Sequence, residues 1–555
     1  MARCEQARSN WPKSPECHQT FFLNHGIRRQ FQMESNDNQL QPAPRELERE
    51  SHTQTPEAER VHEIYRGPVI SPSPVIPVFL NKPGRAVQRQ KTLRFDGRRI
   101  HFMGAGGIGV SALMELCAAR GGIVSGCDCN SSGQVQQLRA RKIHVELGHS
   151  ADHVAGCDEI VHTAAVGPGH PEIARARLDK KIVRTRMNML GRLALGTRAV
   201  CITGAHGKTS TTWLIAQILI AANRDPSVLV GGVVAGMQGN VRIGQGEEFV
   251  IETDESDNRL HEIAPSLAVL TNIDNDHLEN YGGRVENLEA ALMRFMGSVD
   301  AADPLSMLIG CGDDARVRRV LAQGSAICKR PVISYGFEPH NALRAINLVL
   351  ENDGMSWRFD ALGPFGVWQD ILLPMPGEHN VLNALAAIAV AWNLGVAEMV
   401  IRGALAGTER VARRFEIKKM SPVRIVDDYG HHPTEIALTL KAARASTRKR
   451  LGVLFQPHRF SRTHSLMEQF ANCFASADAV FLLPVYAAAE APIAGADHRA
   501  LAEKIRATGK ANVCAFDSRA EAIAAVLKWA REGDTVVTQG AGDVTRAAHE
   551  LAAGF

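Results

Sequence analysis

The chain has 555 residues, 45% of them hydrophobic and 22% charged, with 63 Lys plus Arg against 59 Asp plus Glu. A formal charge of +4 is too small for a nucleic-acid-coating or polybasic membrane protein, and no stretch approaches the roughly 18 uncharged apolar residues that would insert in a bilayer. Neither nucleic acid nor membrane is therefore an expected partner. At about 150 residues per domain the length predicts three to four domains. The 11 Cys are scattered and form no Cys-x-x-Cys pair, which supports neither a zinc site nor a disulfide framework and points to a reduced, cytoplasmic compartment.

Residues 1–94 hold ten of the 25 prolines and show no long amphipathic period. Prolines 68, 72, 74 and 77 can continue neither a helix nor a central strand. This segment is expected to be a disordered extension. From Arg98 onward, short apolar runs alternate with amphipathic segments of helix length, the pattern of βαβ units on parallel sheets. The predicted domains are 95–197, 198–411 and 412–555, and the fold class is α/β.

Along the chain, a strand at Arg99–Met103 runs into Gly104-x-Gly106-Gly107-x-Gly109, and a helix opens at Val110. Asp128 ends the next strand, 19 residues after Gly109. Glycines let backbone approach a pyrophosphate, and a helix N-terminus favours its charge, so this is a nucleotide-diphosphate site. The pattern does not distinguish NAD from another pyrophosphate. The strand Ala199–Ile202 leads into Thr203-Gly204-Ala205-His206-Gly207-Lys208-Thr209, before a helix over Ser210–Ala222. This reads as a shortened phosphate loop for ATP. Gly204, Ala205, His206, Gly207 and Ser210 line it, Lys208 reaches the terminal phosphates, and the Thr209 hydroxyl is a ligand for Mg²⁺. Glu252, Asp254, Glu255 and Asp257 follow the strand Phe249–Ile251. Carboxylates so close repel one another without a cation, and Mg²⁺ prefers hard oxygen ligands. His277, in Asn272-Ile273-Asp274-Asn275-Asp276-His277 after the strand Leu267–Thr271, is a candidate further metal ligand. A nitrogen ligand is unusual for Mg²⁺, so Mn²⁺ is expected to substitute. Further on come Arg413-Arg414-Phe415, Asp427-Asp428-Tyr429-Gly430-His431-His432-Pro433, Gln456-Pro457-His458-Arg459-Phe460-Ser461-Arg462 and Gly540-Ala541-Gly542-Asp543. Paired Arg suits phosphate or carboxylate.

Taken in order, and with Pro376-Gly377-x-His379-Asn380-x-x-Asn383-Ala384, these motifs resemble those of the Mur ligases from about Arg98 to the C-terminus. The resemblance implies three domains: a Rossmann-like UDP-binding domain, a P-loop-type ATPase domain with a mainly parallel sheet, and a Rossmann-like C-terminal domain that closes over ATP. It implies that Gly104, Gly106, Gly107 and Gly109 hold a UDP pyrophosphate and that Asp128 and His149 face the uridine. It places His379, Asn380 and Asn383 on the adenine side of ATP and Asp428 on the nucleotide. Thr209, Glu252 and His277 surround Mg²⁺. His431, His432, Arg459 and Arg462 line the amino-acid side. No Lys occurs between His277 and Lys329, which fits the alanine-adding branch rather than those using a carbamylated lysine. The chain departs from the family pattern at Ala205, at Thr163-Ala164-Ala165 and at Asn258-Arg259-Leu260.

The implied reaction takes ATP, L-alanine and UDP-N-acetylmuramate. Carboxylate is a poor acylating agent, and phosphorylation by ATP supplies a leaving group. Lys208, Mg²⁺ and Arg414 would neutralise charge during that transfer. His431 or His432 is a candidate base for the alanine amine.

Overall fold

The computed structural model describes residues 92–555 apart from 164, 165, 168 and 238. The expectation of disorder over 1–94 falls almost wholly outside them, as do Ala164 and Ala165.

The first sheet contains β1 (Arg99–Met103), β2 (Ile123–Asp128), β3 (His144–Leu147), β4 (Glu159–His162) and β5 (Ile182–Thr185), all parallel in the order β3-β2-β1-β4-β5. Four successive residues of β1, Ile100 to Met103, are buried. Helices therefore cover both faces, as a continuous apolar run in a parallel sheet requires. The helix Ile108–Ala119 follows β1 after the extended Gly107 and begins two residues earlier than the sequence pattern suggests.

The central sheet has ten strands: β6 (Arg198–Thr203), β7 (Ser227–Val234), β8 (Gly239–Arg242), β9 (Glu248–Glu252), β10 (Leu267–Leu270), β11 (Met307–Cys311), β12 (Val332–Gly336), β13 (Leu343–Glu351), β14 (Ser356–Gly363) and β15 (Gly366–Leu373). Their order is β15-β14-β13-β12-β11-β10-β6-β9-β7-β8. The middle is parallel, while β13–β15 form an antiparallel meander at one edge and β8 runs antiparallel at the other. The helix Lys208–Ala221 and the helix Glu378–Asn393 pack together on one face and are buried on nearly every side. Their apolar sequences suit that site, since a helix hydrophobic all round has no face for water. The helices Val285–Gly297 and Ala315–Cys328 cover the other face, and their core is continuous with that of the first sheet.

The third sheet contains β16 (Glu416–Lys419), β17 (Arg424–Asp428), β18 (Leu451–Phe455), β19 (Ala479–Leu482), β20 (Asn512–Ala515) and β21 (Thr535–Gln539), ordered β16-β17-β21-β18-β19-β20, with only β16 antiparallel. It has its own cores, one on each face.

Candidate active site

The centre of the site is the loop between β6 and the helix Lys208–Ala221. Strand β6 lies between β9 and β10, where the strand order reverses, so loops at the carboxyl ends of all three strands open onto one crevice. Gly204 and Gly207 adopt φ of 124° and 81°. A Cβ on Gly207 would lie 2.6 Å from Asn383 Oδ1. That oxygen accepts from Thr211 Oγ1 at 3.1 Å, Asn383 donates to Asn380 Oδ1 at 3.0 Å, and Asn380 donates to the Pro376 carbonyl at 2.7 Å. The two Asn residues thus pin the Glu378–Asn393 helix start against the phosphate loop, and His379 stands beside them.

Lys208 Nζ donates to the Gly204 carbonyl at 2.6 Å and pairs with Glu255 Oε2 at 3.0 Å. Burial opposes its charge, but the carboxylates of Glu255, Asp254 and Glu252 outweigh burial and hold its pKa above the usual value. Burial pushes Glu255 upward, whereas Lys208 and Arg186 overcome burial at Asp254 and hold it below the ordinary carboxylate range. Thr209 Oγ1 donates to Glu252 Oε1 at 3.0 Å, and the Gly231 N–H donates to Glu252 Oε2 at 2.5 Å. Two hard oxygens from adjacent parallel strand ends fit Mg²⁺. His277 adopts φ of 56°, with Nε2 3.6 Å from Asp276 Oδ2 and Nδ1 3.8 Å from Glu279 Oε1. Burial disfavours its charge, but Glu279, Asp276 and Glu255 raise its pKa above normal. Thr209 and Glu252 are thus in direct contact, and His277 faces the same acidic group from another loop.

The third domain closes the crevice with the loop after β17. His432 caps the helix Pro433–Ser446, and Glu435 reciprocates, accepting from the N–H groups of His431 and His432 at 2.9 and 3.2 Å. Glu435 Oε1 also lies 3.4 Å from His206 Nδ1 and 3.8 Å from Arg414 Nη1. His206 Nε2 meets Asp274 Oδ2 at 2.9 Å, and Thr434 Oγ1 donates to the same oxygen at 2.7 Å. Burial works against the His206 charge, but its bonds to Asp274 and Glu435 prevail and raise it to about 9. Arg414 Nη2 donates to Thr209 Oγ1 at 3.4 Å, and the guanidinium groups of Arg413 and Arg414 lie 5.1 and 5.2 Å from the Tyr429 ring centre.

Other residues fall differently. Arg462 is buried in an ion pair with Asp276, Nη2 to Oδ1 3.2 Å, and so ties the domains together. Arg459 is half-buried, with Nε 3.9 Å from Glu490 Oε1. Asp428 accepts from the Phe415 and Gly430 N–H groups, Thr439 Oγ1 and Gln539 Nε2 at 2.8–3.2 Å, so it also holds its own domain together. Burial drives His431 down to about 3, and burial likewise lowers His432. The crevice holds a cavity of about 500 Å³. Phe337, Met375, Leu382 and Leu438 form an apolar wall, and His206, Gly207, Ser210, His379, Asn380, Asn383, Arg414 and Asp428 also line it. The site roles of Glu435 and Asp274 were not anticipated. The one local signal for Glu435 is its place three residues after a capping His432.

In the first domain, Gly104 has φ of 83° and Asp128 turns back into the glycine loop. The Gly106 N–H donates to Asp128 Oδ2 at 2.8 Å, and a Cβ on Gly106 would come within 2.9 Å of that oxygen. The Asn130 N–H satisfies Asp128 Oδ1 at 2.9 Å. The first turn of the helix Ile108–Ala119, which follows Gly107 and includes Gly109, contains no acidic residue. His149 is partly buried near Asp128's strand, with Nδ1 3.3 Å from both Cys127 Sγ and Glu172 Oε1.

Comparison with known proteins agrees with this layout. Residues 99–198 match the Mur ligase family catalytic domain, 202–391 the Mur ligase middle domain, and 413–542 the Mur ligase glutamate ligase domain. A UDP-N-acetylmuramate--L-alanine ligase of Stenotrophomonas maltophilia is 39% identical over 82% of the chain and 95% of its own length. One from Methylocella silvestris is 40% identical over 81% of the chain and 96% of its own. Among solved structures, a UDP-N-acetylmuramate-alanine ligase of Thermotoga maritima superposes with a TM-score of 0.66 at 27% identity, covering 82% of the chain and 98% of its own. A murein peptide ligase of Psychrobacter arcticus shares the fold at 23% identity and a TM-score of 0.58, covering 82% and 98%. The three domain matches and the extended identity establish that the chain belongs to the Mur ligase family.

Proposed function

We propose that this chain joins L-alanine to the lactyl carboxylate of UDP-N-acetylmuramate at the expense of ATP, giving UDP-N-acetylmuramoyl-L-alanine, ADP and phosphate for peptidoglycan synthesis. The observation that carries this reading is the convergence of Lys208, Thr209, Glu252, Glu435 and Arg414 on one crevice, in a chain about 39% identical to enzymes named for that reaction. The cavity suits ATP, since apolar side chains for a purine and residues of the phosphate loop both line it.

In this reading Lys208 and Arg414 place positive charge against the transferring γ-phosphoryl group, whose loose transition state is stabilised by positioning and electrostatics. Thr209 and Glu252, with His277 nearby, would hold a divalent cation, Mg²⁺ or Mn²⁺, which supplies further neutralisation of phosphoryl charge. The lactyl carboxylate takes the phosphoryl group, and ADP leaves. The alanine amine then attacks the acyl carbon, and the tetrahedral adduct expels phosphate. An imidazole titrating near 3 is a weak base at neutral pH, so His431 orients the amino acid through its neutral ring. His432 is also lowered by burial and accepts from the Thr434 N–H at Nδ1, which leaves its ring proton on Nε2, so it too orients substrate and the amine proton passes to solvent. Arg459 is available to the alanine carboxylate, whereas Arg462 acts through domain closure. The glycine loop, Asp128 and His149 receive the UDP portion.

The test is phosphate release from ATP with UDP-N-acetylmuramate and each amino acid in turn. Release that requires both the UDP sugar and L-alanine supports the reading. Release with a tripeptide but not with L-alanine would replace it with a peptide-recycling ligase.

A further inference from the structure

A second cluster of donors lies in the first domain, outside the ATP crevice. His101 is on β1, Cys127 on β2, His153 in the turn Ala151–Val154, and Glu172 in the first turn of the helix Pro171–Leu178. One ring nitrogen of each histidine, Cys127 Sγ and a Glu172 oxygen all lie within 4.8 Å of one another. His101 is 2% exposed, and Cys127 and Glu172 are 0% exposed. Glu172 Oε1 is 3.0 Å from His153 Nδ1 and 3.5 Å from Cys127 Sγ.

The chemistry of these atoms selects a metal. Bonds of about 2.0 Å to nitrogen and oxygen and about 2.3 Å to sulfur put tetrahedral ligand atoms roughly 3.3–3.7 Å apart. The two short separations here are already close to that spacing, and the widest needs a contraction of about 1 Å. His101 provides an independent indication. Its Nδ1 is 2.9 Å from Ser125 Oγ, and its buried Nε2 has no hydrogen-bond partner. An Nδ1–H donated to Ser125 leaves the Nε2 lone pair free, as in a histidine held ready for a metal by a hydrogen bond at its other ring nitrogen.

We propose that His101, Cys127, His153 and Glu172 form a structural Zn²⁺ site. The mixed thiolate, imidazole and carboxylate set suits zinc rather than Mg²⁺, and four protein ligands without an open position suit structure rather than catalysis. Binding breaks the Zn–water bonds of the hydrated ion, whose waters return to solvent, forms one Zn–S, two Zn–N and one Zn–O bond, and releases the Cys127 thiol proton to solvent. The ion would tie the segment bearing His149 to the strand ending at Asp128. This inference is independent of the ligase reading.

The full chain is stripped with chelator, incubated with Zn²⁺ alone, gel-filtered and analysed by mass spectrometry for metal. Retention of one equivalent per chain is expected. Cys127→Ser and His153→Asn should lose it, while Cys129→Ser, an exposed neighbour, should keep it. With Co²⁺ alone, the wild-type chain and Cys129→Ser should show a thiolate-to-cobalt charge-transfer band, and Cys127→Ser should not. Zinc should also raise the wild-type thermal midpoint. Should Cys127→Ser fail to fold, the cobalt band in Cys129→Ser decides: its presence supports the site and its absence overturns it. No retained zinc, or equal retention by folded Cys127→Ser and His153→Asn, overturns the proposal.

Discussion

His206 shows how one residue's charge is set by groups remote in sequence. Asp274, Glu435 and His432 face it, and the two carboxylates keep it protonated to about 9 against burial. A group raised from 6.5 contributes stability that is complete below that value and is lost as pH rises through about 9. His206→Gln should therefore lower the thermal midpoint at about pH 7, and the gap from wild type should close by about pH 10. A gap independent of pH would refute the charged pairing. Lys208→Ala should cut phosphate release by about 10³-fold or more, because its cation acts on the transferring group. Calorimetry should show UDP-N-acetylmuramate binding nearly unchanged, since the glycine loop belongs to another sheet. Loss of that binding would contradict the division of labour between domains.

At the scale of elements, the phosphate loop depends on a backbone shape that few side chains tolerate. Gly207 has φ of 81° and caps the helix Lys208–Ala221. A left-handed conformation costs an L-residue roughly 1–2 kcal/mol, and a Cβ there would also press on Asn383 at 2.6 Å. Gly207→Ala should raise the KM for ATP by about tenfold or more and lower the thermal midpoint by several degrees. Unchanged ATP kinetics would show that the loop does not need this geometry. The motif that identified the loop was legible because its chemistry is local: two glycines, a lysine and a threonine within six residues of a strand end. The antiparallel meander β13–β15 was not anticipated, because its pairing is decided by edge position and core packing, not by a short motif.

At the scale of the molecule, the third domain has separate cores and meets the crevice through polar groups. Arg462 and Asp276 have side chains 8% and 10% exposed. Removing one partner of such a pair costs about 3–5 kcal/mol while the other stays buried. Domain opening lets Asp276 hydrate, so in Arg462→Ala the cost falls on closure rather than on folding. The variant should show a larger radius of gyration by small-angle scattering and a lower turnover, with its thermal midpoint little changed. Unchanged scattering and turnover would remove the latch from the account. The family matches begin at residue 99, and a chain starting at Gln90 should keep its activity within about tenfold. A larger loss would assign a function to the preceding segment.

The sequence by itself determined the three α/β units, the two glycine loops and the acidic strand end, because positive φ, helix N-termini and strand periodicity act over a few residues. It also expected Thr209 and Glu252 to lie together, and they are hydrogen-bonded in the structure, since strand ends of a parallel sheet share an edge. Only the tertiary structure decided that β6 lies between β9 and β10, that Asp274 and Glu435 hold His206 charged, and that Asp428 is saturated within its own domain. It alone took Arg462 into an interdomain pair. It also gathered His101, Cys127, His153 and Glu172 from four elements, although the cysteine spacing by itself supports no zinc site. Such contacts join residues up to 229 positions apart, as Glu435 to His206 does. They are set by how whole sheets and helices bury their apolar faces, and no local run of residues encodes that distance.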